Sequence, residues 1–353
     1  MKEIINLPDP TATTYTPHPR VQEFFNLLEP NPPTWLYDYI NTKEMLHQQH
    51  ISATCGTIYS DLFESDFFYS NLDHSVGVAL VVWHFTHDKK QTLAGLFHDI
   101  ATPAFKHCVD FMNGDYMMQE STEELTTQII ENSSEITALL ARDKIKVSEI
   151  DDYHIYPIAD NDTPQLSADR LEYSLSNALL TYELIDLSEV KMIYQDIIIG
   201  RGINDAPELA FKTKRIARQF VKITSTLSVI YRDDRVRYSM SLLADVFKKL
   251  NSAGVIQKAN LYNLREKEIF GIVDNSEYAD IINNWRTAKE IKVSKNPPRG
   301  GVYYIHHPAK IRYIDPLCQG TRMSEQCKLA KQMIDKNLSY DMNSYVYLED
   351  VII

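Results

Sequence analysis

Two histidines and two aspartates stand out because their side chains together form a ligand set for a metal ion. They are His74, the adjacent pair His98 and Asp99, and Asp169. Imidazole nitrogens combined with carboxylate oxygens suit a borderline-to-hard divalent ion such as Mn, Fe, Ni, Co, Zn or Mg. Such an ion lowers the pKa of bound water towards neutrality and polarises a phosphoryl oxygen. These residue types therefore predict a divalent metal centre.

The segments that carry these residues are expected to be buried helices. His74 precedes an apolar run from Val76 to Phe85, and His98-Asp99 ends a second apolar helix that begins near Thr92. Consecutive residues on a helix lie about 100° apart, so His98 and Asp99 can approach one ion from adjacent directions. Asp169 opens a third helix, where a carboxylate also complements the positive end of the helix dipole. A buried, unpaired aspartate is costly, and a shared cation removes that cost for two carboxylates at once.

The rest of the chain predicts a mainly α protein with a small antiparallel β appendage near the C-terminus. "PAFKHCVDFM" predicts a helix that starts at Pro103, and apolar residues from Leu209 to Ile230 recur at helical spacing. Leu261 to Val273 predicts another helix. "EIKVS", "VYYIHH" and "KIRYID" then predict a β meander. We expect a core over residues 1–200 that includes an N-terminal extension, followed by a helical region over residues 201–353 that contains the meander.

Composition limits the classes of partner. The chain has 353 residues, 44% of them hydrophobic, and a formal net charge of -12, which argues against general nucleic-acid binding. The amino terminus lacks a basic region followed by an apolar run, and the longest apolar run, Val76 to Trp83, is too short to span a membrane. The four cysteines form no C-x-x-C pair, which favours buried free thiols. These features predict a cytoplasmic protein without a membrane partner.

The order "H…HD…D" at His74, His98-Asp99 and Asp169 resembles the HD-domain phosphohydrolase superfamily. The segments "YSNLDHSVGVA", "AGLFHDIATPAFKHCVDF" and "ADRLEY" are similar to its deoxynucleoside triphosphate triphosphohydrolase (dNTPase) branch. The resemblance implies an HD-domain helical bundle and a hydrolase that acts on a nucleotide or another phosphorylated small molecule. It also implies that the four residues hold the metal, and it suggests a homo-oligomer.

The resemblance also implies roles for neighbouring residues. His107 lies at the position of a pocket histidine that contacts the phosphates or relays a proton, although a structural role in capping carbonyls is equally compatible with the sequence. Arg170 lies at a phosphate-binding position and Tyr173 at a sugar or phosphate contact, with an ion pair to Glu172 or Asp169 as the alternative for Arg170. Lys106 is a second phosphate-binding candidate.

Three positions depart from the branch pattern. Asn71 replaces an arginine at a substrate-binding position, Thr102 replaces a histidine, and no histidine occurs near position 122. A glutamate, with Glu123 the candidate and Glu120 and Glu124 its neighbours, is then expected to serve as the acid or base beside the catalytic Asp99. Asp73 is the nearest carboxylate in sequence that could orient a metal-bound histidine.

These departures keep two further functions open. One is a nucleoside monophosphatase or a cyclic-nucleotide phosphodiesterase, because the same metal site serves these reactions. The other is a non-catalytic regulatory module that binds a nucleotide in the same pocket.

Overall fold

Two apolar helices that follow one another along the chain form the centre of the fold. α4 (Asn71–Thr86) is buried along most of its length and packs against α5 (Lys89–Phe97). A capping box begins α4: the hydroxyl of Ser70 accepts from the N–H of Asp73 at 3.0 Å, and Oδ2 of Asp73 accepts from the N–H of Ser70 at 2.8 Å. The predicted pair of buried helices is confirmed.

The structure, a computed structural model, describes residues 3–119 and 125–353. Over these residues the chain is mainly α, with about 52% of it helical and small sheets of few strands, which confirms the predicted fold class. None of the helices described is both long enough and apolar enough to cross a membrane. The remaining helices are α1 (Pro19–Leu28), α2 (Thr34–Ile40), α3 (Lys43–Gln48), α6 (His107–Met112), α7 (Thr126–Asn132), α8 (Ser134–Asp143), α9 (Ala168–Ser176), α10 (Leu187–Gln195), α11 (Lys214–Ile230), α12 (Asp234–Ser252), α13 (Lys258–Asn263), α14 (Glu266–Val273), α15 (Ala279–Thr287), α16 (Met323–Gln326) and α17 (Lys328–Leu338).

Two small sheets complete the described part of the fold. One has the strand order β1-β2-β5-β6 and the other has the order β3-β7-β4. In the second sheet, Val346 of β7 pairs with both Val293 of β3 and Ile305 of β4, and all the pairings are antiparallel. The strands are β1 (Ile197–Arg201), β2 (Pro207–Phe211), β3 (Lys292–Ser294), β4 (Tyr304–Ile305), β5 (Leu317–Cys318), β6 (Thr321–Arg322) and β7 (Tyr345–Tyr347).

The predicted meander is wrong in its connections. β3 does not pair with β4, because the tail strand β7 lies between them. The segment 310–315 forms no strand, since its side chains contact the helical part of the molecule: Ile311, Arg312 and Tyr313 line the main cavity.

Three predicted helix boundaries are also wrong. Leu209 does not begin a helix but pairs with Ile199 in a β-hairpin, and α11 begins only at Lys214. The predicted helix from Leu261 to Val273 is two helices, α13 and α14. The helix expected from Pro103 begins four residues later, because backbone groups ahead of it bond to a distant part of the chain.

That contact involves the turn before α6. The N–H of Ala104 donates to the carbonyl of Leu261 at 2.7 Å, and the N–H of Phe105 donates to Oε1 of Glu266 at 3.2 Å. Phe105 and Lys106 have φ values of +65° and +43°, outside the helical region. Tertiary contacts therefore override the local helical signal here.

Buried apolar residues form two clusters. The first surrounds α4, α5, α9 and α11, and the second surrounds α6, α12 and α14. Both clusters draw on residues from before and after position 200, and the division at that position stays a prediction. The four cysteines are free thiols.

Candidate metal centre

The four predicted metal ligands converge on one point at the wall of the main cavity. Nε2 of His74 lies 3.2 Å from Nε2 of His98 and 3.1 Å from Oδ1 of Asp169. Oδ2 of Asp99 lies 4.0 Å from Nε2 of His74 and 3.8 Å from Nε2 of His98. These contacts join residues that are far apart in the sequence.

Each ligand is placed by the beginning or end of a helix. His74 lies in the first turn of α4, and His98-Asp99 directly follows the last residue of α5. Asp169 lies in the first turn of α9, whose start is capped by the hydroxyl of Ser167, which accepts from the N–H of Arg170 at 3.2 Å. Because α4 packs against both α5 and α9, these three ends meet.

The spacing of these groups is compatible with a divalent ion. Ligand atoms bound about 2.0–2.2 Å from an ion lie roughly 3–4 Å from one another. His74, His98 and Asp99 form a compact group of possible ligands, and Oδ1 of Asp169 joins it through the histidines, 3.1 Å from Nε2 of His74 and 3.8 Å from Nε2 of His98. The imidazoles are 9% and 4% exposed for His74 and His98, whereas the carboxylates of Asp99 and Asp169 are 23% and 20% exposed. The histidines therefore form the inner wall, and the aspartates reach the cavity.

Hydrogen bonds fix both imidazoles with Nε2 available for a metal. Nδ1 of His98 donates to the carbonyl oxygen of Gly95 at 2.8 Å, and Nδ1 of His74 donates to the carboxylate of Glu172. Since a carbonyl or carboxylate oxygen only accepts, Nδ1 carries a proton in both rings, and Nε2 offers its lone pair when the ring is neutral. A second hydrogen bond of this kind is the usual support of a metal-binding histidine.

Glu172 is the carboxylate that contacts Nδ1 of His74, and sequence reasoning missed it. Its side chain is fully buried and also accepts from the hydroxyl of Tyr69 at 2.6 Å. Gly77 in α4 makes room for it, because a Cβ atom at Gly77 would lie 2.6 Å from Oε1 of Glu172. Two signals pointed to it: Glu172 follows Asp169 by one helical turn, and a glycine interrupts an otherwise bulky helix one turn after His74.

Asp73, which we predicted to orient a histidine, has other contacts. Its carboxylate accepts from the N–H and hydroxyl of Ser70 at the start of α4 and from the hydroxyl of Tyr15. The prediction failed because Asp73 points back to its own helix end.

Opposite charges dominate the protonation of the ligands. Burial raises the pKa of Asp99, but Lys106 and the two histidines lower it well below its usual range. Burial likewise raises the pKa of Asp169, and its contacts with His74 lower it to about 2. Burial lowers the pKa of His74, and Glu172 and Asp169 raise it to about 10. Without a metal, a proton on His74 therefore neutralises part of the cluster.

Lys106 and Asn71 support the carboxylate side of the centre. Nζ of Lys106 lies 3.0 Å from Oδ2 of Asp99 and also donates to the side-chain oxygen of Asn71. The Asn71 amide in turn donates to Oε1 of Gln48 at 2.8 Å. Asn71 is fully buried and is not among the cavity-lining residues, whereas Lys106 is. The structure thus places Asn71 behind Lys106.

Arg170 and Tyr173 line the cavity beside Asp169. Arg170 makes an ion pair, as the alternative interpretation expected, but the partner is Asp160 at 3.0 Å and neither Glu172 nor Asp169. Its Nη1 also donates to Oδ1 of Asn161 at 2.8 Å. Burial raises the pKa of Tyr173 to about 12, so its hydroxyl remains protonated near neutral pH.

His107 also lines the cavity, and its ring joins two charged side chains. Nδ1 lies 2.9 Å from Oδ2 of Asp110, and Nε2 lies 3.2 Å from Nη2 of Arg312. Burial lowers the pKa of His107, and the charge of Arg312 adds to that effect. Sequence reasoning missed Arg312, because it lies in a segment that we expected to be a strand. Glu123 and its neighbours Glu120 and Glu124 lie outside the described residues.

The cavity has a volume of about 290 Å³. The metal ligands and Lys106 occupy one part of its wall. Six tyrosine side chains also line it: Tyr69, Tyr153, Tyr173, Tyr182, Tyr231 and Tyr313. Charged groups and aromatic faces therefore share the lining of this cavity.

Comparison with known proteins gives relatives of low identity over most of the chain. YdhJ of Bacillus subtilis, described as an uncharacterized protein, is 25% identical over 249 residues, which are 69% of this chain and 72% of YdhJ. The metal-dependent phosphohydrolase cns2 of Cordyceps militaris is 22% identical over 260 residues, which are 70% of each chain. No family model matches the chain.

Two solved structures share the fold. A hypothetical protein from Aquifex aeolicus superposes with a TM-score of 0.61 at 15% identity, over 90% of this chain and 93% of that protein. A phosphohydrolase from Bacteroides thetaiotaomicron superposes with a TM-score of 0.58 at 14% identity, over 90% of this chain and 96% of that protein. The chain therefore shares its fold with these two proteins and is similar in sequence to a protein described as a metal-dependent phosphohydrolase.

Proposed function

We propose that the protein is a metal-dependent phosphohydrolase of the HD-domain type that acts on a nucleotide, with the dNTP triphosphohydrolases as its nearest functional analogues. The observation that carries the proposal is the meeting of His74, His98, Asp99 and Asp169 at the wall of a cavity, with Nε2 of both histidines facing the cluster. The similarity to a metal-dependent phosphohydrolase and the fold shared with another phosphohydrolase support it.

The four residues would hold a divalent ion. When bound, the ion would supply an activated water at neutral pH and polarise a phosphoryl oxygen. Glu172 and the carbonyl of Gly95 hold the two imidazoles in the tautomer that the ligand role needs. Lys106, beside Asp99, places a positive charge where charge develops on a phosphoryl group.

The tyrosines support the nucleotide part of the proposal. Their rings offer flat apolar surfaces on which a base or sugar can pack, and their hydroxyls offer hydrogen bonds. Tyr231 lies 6.3 Å, between ring centroids, from both Tyr173 and Tyr182, so this part of the cavity wall is aromatic.

The test is a substrate panel with metal-loaded protein, followed by identification of the phosphate species released. Free inorganic triphosphate from a deoxynucleoside triphosphate supports the dNTPase-like reading. Orthophosphate from a monophosphate, or a linear product from a cyclic nucleotide, identifies the competing hydrolases. Tight binding of metal and nucleotide without turnover identifies a regulatory module.

Asp99→Ala connects activity to the metal centre. We expect a loss of about a thousand-fold or more in kcat/KM, because a metal contributes several kcal/mol to such reactions. Asp38→Ala is the matched control, since Asp38 is half exposed and pairs with Arg142 outside the cavity lining. Unchanged metal content and activity in Asp99→Ala would remove the assignment.

A further inference from the structure

The cations of the cavity differ in what neutralises them. Nζ of Lys106 lies 3.0 Å from the carboxylate of Asp99, and Nη1 of Arg170 lies 3.0 Å from that of Asp160. Arg312 also lines the cavity, yet no carboxylate of the residues in 3–119 and 125–353 forms an ion pair with it. Its charge is therefore not compensated by the described protein.

Neutral acceptors hold the Arg312 side chain instead. Nη2 donates to Oε1 of Gln119 at 2.6 Å and to Nε2 of His107 at 3.2 Å. Because Nδ1 of His107 donates to the buried carboxylate of Asp110 at 2.9 Å, Nε2 carries the lone pair that accepts from Arg312. Asp110 thus fixes His107, and His107 fixes Arg312.

This arrangement leaves donors of Arg312 for a ligand. Both hydrogens of Nη2 are used, whereas Nη1 and Nε have no hydrogen-bond partner among the described residues and are not fully buried. A guanidinium keeps its charge at any physiological pH and binds phosphate oxygens well. A cation that is held in place but not neutralised has the properties of an anion-binding group.

The position of Arg312 relative to the metal centre suggests which anion it binds. Lys106 contacts the metal ligand Asp99, the next residue His107 contacts Arg312, and all of them line one cavity. Two positive side chains therefore line the same cavity, Lys106 beside Asp99 and Arg312 beside His107. A ligand that contacts both needs more than one anionic group.

We propose that Arg312 binds a second anionic group of the substrate, a phosphate oxygen beyond the phosphoryl group held at the metal centre, and that His107, Asp110 and Gln119 are its positioning residues. This assignment rests on the proposed function for the identity of the first phosphoryl group. It makes Arg312 a specificity-determining residue that selects compounds with at least two linked phosphoryl groups.

The test measures binding rather than turnover. Methylenediphosphonate, whose P–C–P link resists hydrolysis, and methylphosphonate are titrated calorimetrically into the full-length protein with its metal bound. Arg312→Gln is expected to weaken diphosphonate binding about 10- to 100-fold, the loss of one or two charge-assisted hydrogen bonds. Methylphosphonate has no second anionic group to reach Arg312, so its affinity should change less than about three-fold in the same variant. A lost charge-assisted contact would instead weaken its binding by a factor of about ten or more.

Two further variants make the result specific. Arg312→Lys keeps the charge and should bind the diphosphonate with intermediate affinity. Arg201→Gln removes the same charge from an exposed strand residue that does not line the cavity, and it should bind as the wild type does.

Diphosphonate binding that is the same in Arg312→Gln and wild type, with equal melting temperatures, would overturn the proposal. Equal weakening of both probes would also overturn it, because Arg312 would then contact the group at the metal. If Arg312→Gln fails to fold, Gln119→Ala, which releases the guanidinium, should weaken the diphosphonate selectively, and unchanged binding there would overturn the proposal. Absence of metal binding or of hydrolysis in the wild-type protein would contradict the proposed function, independently of the result for Arg312.

Discussion

Glu172 and Glu266 are both fully buried carboxylates, yet their surroundings give them different tasks. Glu172, on α9, faces the imidazole of His74 and the hydroxyl of Tyr69. Glu266, at the start of α14, faces only neutral donors. Its carboxylate accepts from the N–H groups of Ser52 and Phe105 at 3.1 and 3.2 Å and from the hydroxyl of Tyr59 at 2.9 Å.

The difference lies in the partner that each carboxylate meets. Glu172 and Asp169 raise the pKa of His74 to about 10 against the effect of burial, so the charge of Glu172 acts on a metal ligand. Burial raises the pKa of Glu266 to about 7, and its three neutral donors offset only part of that effect. A buried carboxylate opposite an imidazole thus raises the pKa of that imidazole, whereas one opposite backbone amides holds chain segments together.

The segment that Glu266 holds is part of the cavity wall. The N–H of Phe105 bonds to Glu266, and Phe105 and Lys106 both have positive φ values, which cost energy in residues other than glycine. Lys106 then reaches Asp99. The stability of this turn therefore comes from the C-terminal half of the chain.

The largest effect that we expect is on stability, from Glu266→Ala. The substitution leaves three buried donors without an acceptor, and each such donor costs about 1–3 kcal/mol. The free energy of unfolding in denaturant should fall by about 3–5 kcal/mol. A fall of less than about 1 kcal/mol would show that water or another group replaces the carboxylate.

The pH dependence of stability should come next in size. The pKa of Glu266 is about 7 in the folded protein, above its ordinary value of 4.5, so its contribution to stability is fully present below about pH 4.5 and is lost as the pH rises through 7. Glu266→Gln should remove this dependence, and the difference in unfolding free energy between the two proteins should change by about 3 kcal/mol across that range. A constant difference from pH 4.5 to pH 8 would contradict the assignment.

Glu172→Gln should act on the metal centre instead. The amide keeps the size of the side chain but loses the charge opposite His74, and such changes lower metal affinity about 10- to 100-fold. Glu266→Gln is the matched control: it also removes a buried carboxylate, but one that accepts from Ser52, Tyr59 and Phe105 and from no metal-binding histidine, so the dissociation constant for the metal should stay within about two-fold of wild type. Equal metal affinity in wild type and Glu172→Gln would show that Glu172 does not support His74.

Asp73→Asn should have the smallest effect. Because Asp73 caps α4 and does not contact a metal ligand through its side chain, the substitution should cost about 1 kcal/mol of stability. Metal affinity should remain at the wild-type level. A loss of affinity as large as that of Glu172→Gln would restore Asp73 as the orienting residue.

The sequence predicted the candidate metal site and the helix α4 well, because both depend on residues that lie close together along the chain or at helix ends. The four candidate metal ligands lie at helix ends, and their types and order were sufficient to group them. The buried helix α4 was predictable because it is apolar on all sides and begins with Ser70 and Asp73. Sequence reasoning was least reliable for contacts between distant segments.

Those contacts explain the failures. Leu209 fits a helical period but pairs with Ile199, and nothing local distinguishes the two outcomes. Arg312 enters the cavity from a segment whose alternating pattern is typical of a strand. Glu266 fixes the turn before α6 from the other half of the chain, so its role becomes visible only in three dimensions.

The metal content of the purified protein is the most direct test of the central claim. Elemental analysis of wild type, Asp99→Ala and Asp169→Asn, each confirmed as folded by circular dichroism, gives the number of ions bound per chain. We expect one divalent ion in the wild type and a strong loss in both variants. A wild type without metal, or variants that retain it fully, would contradict the account.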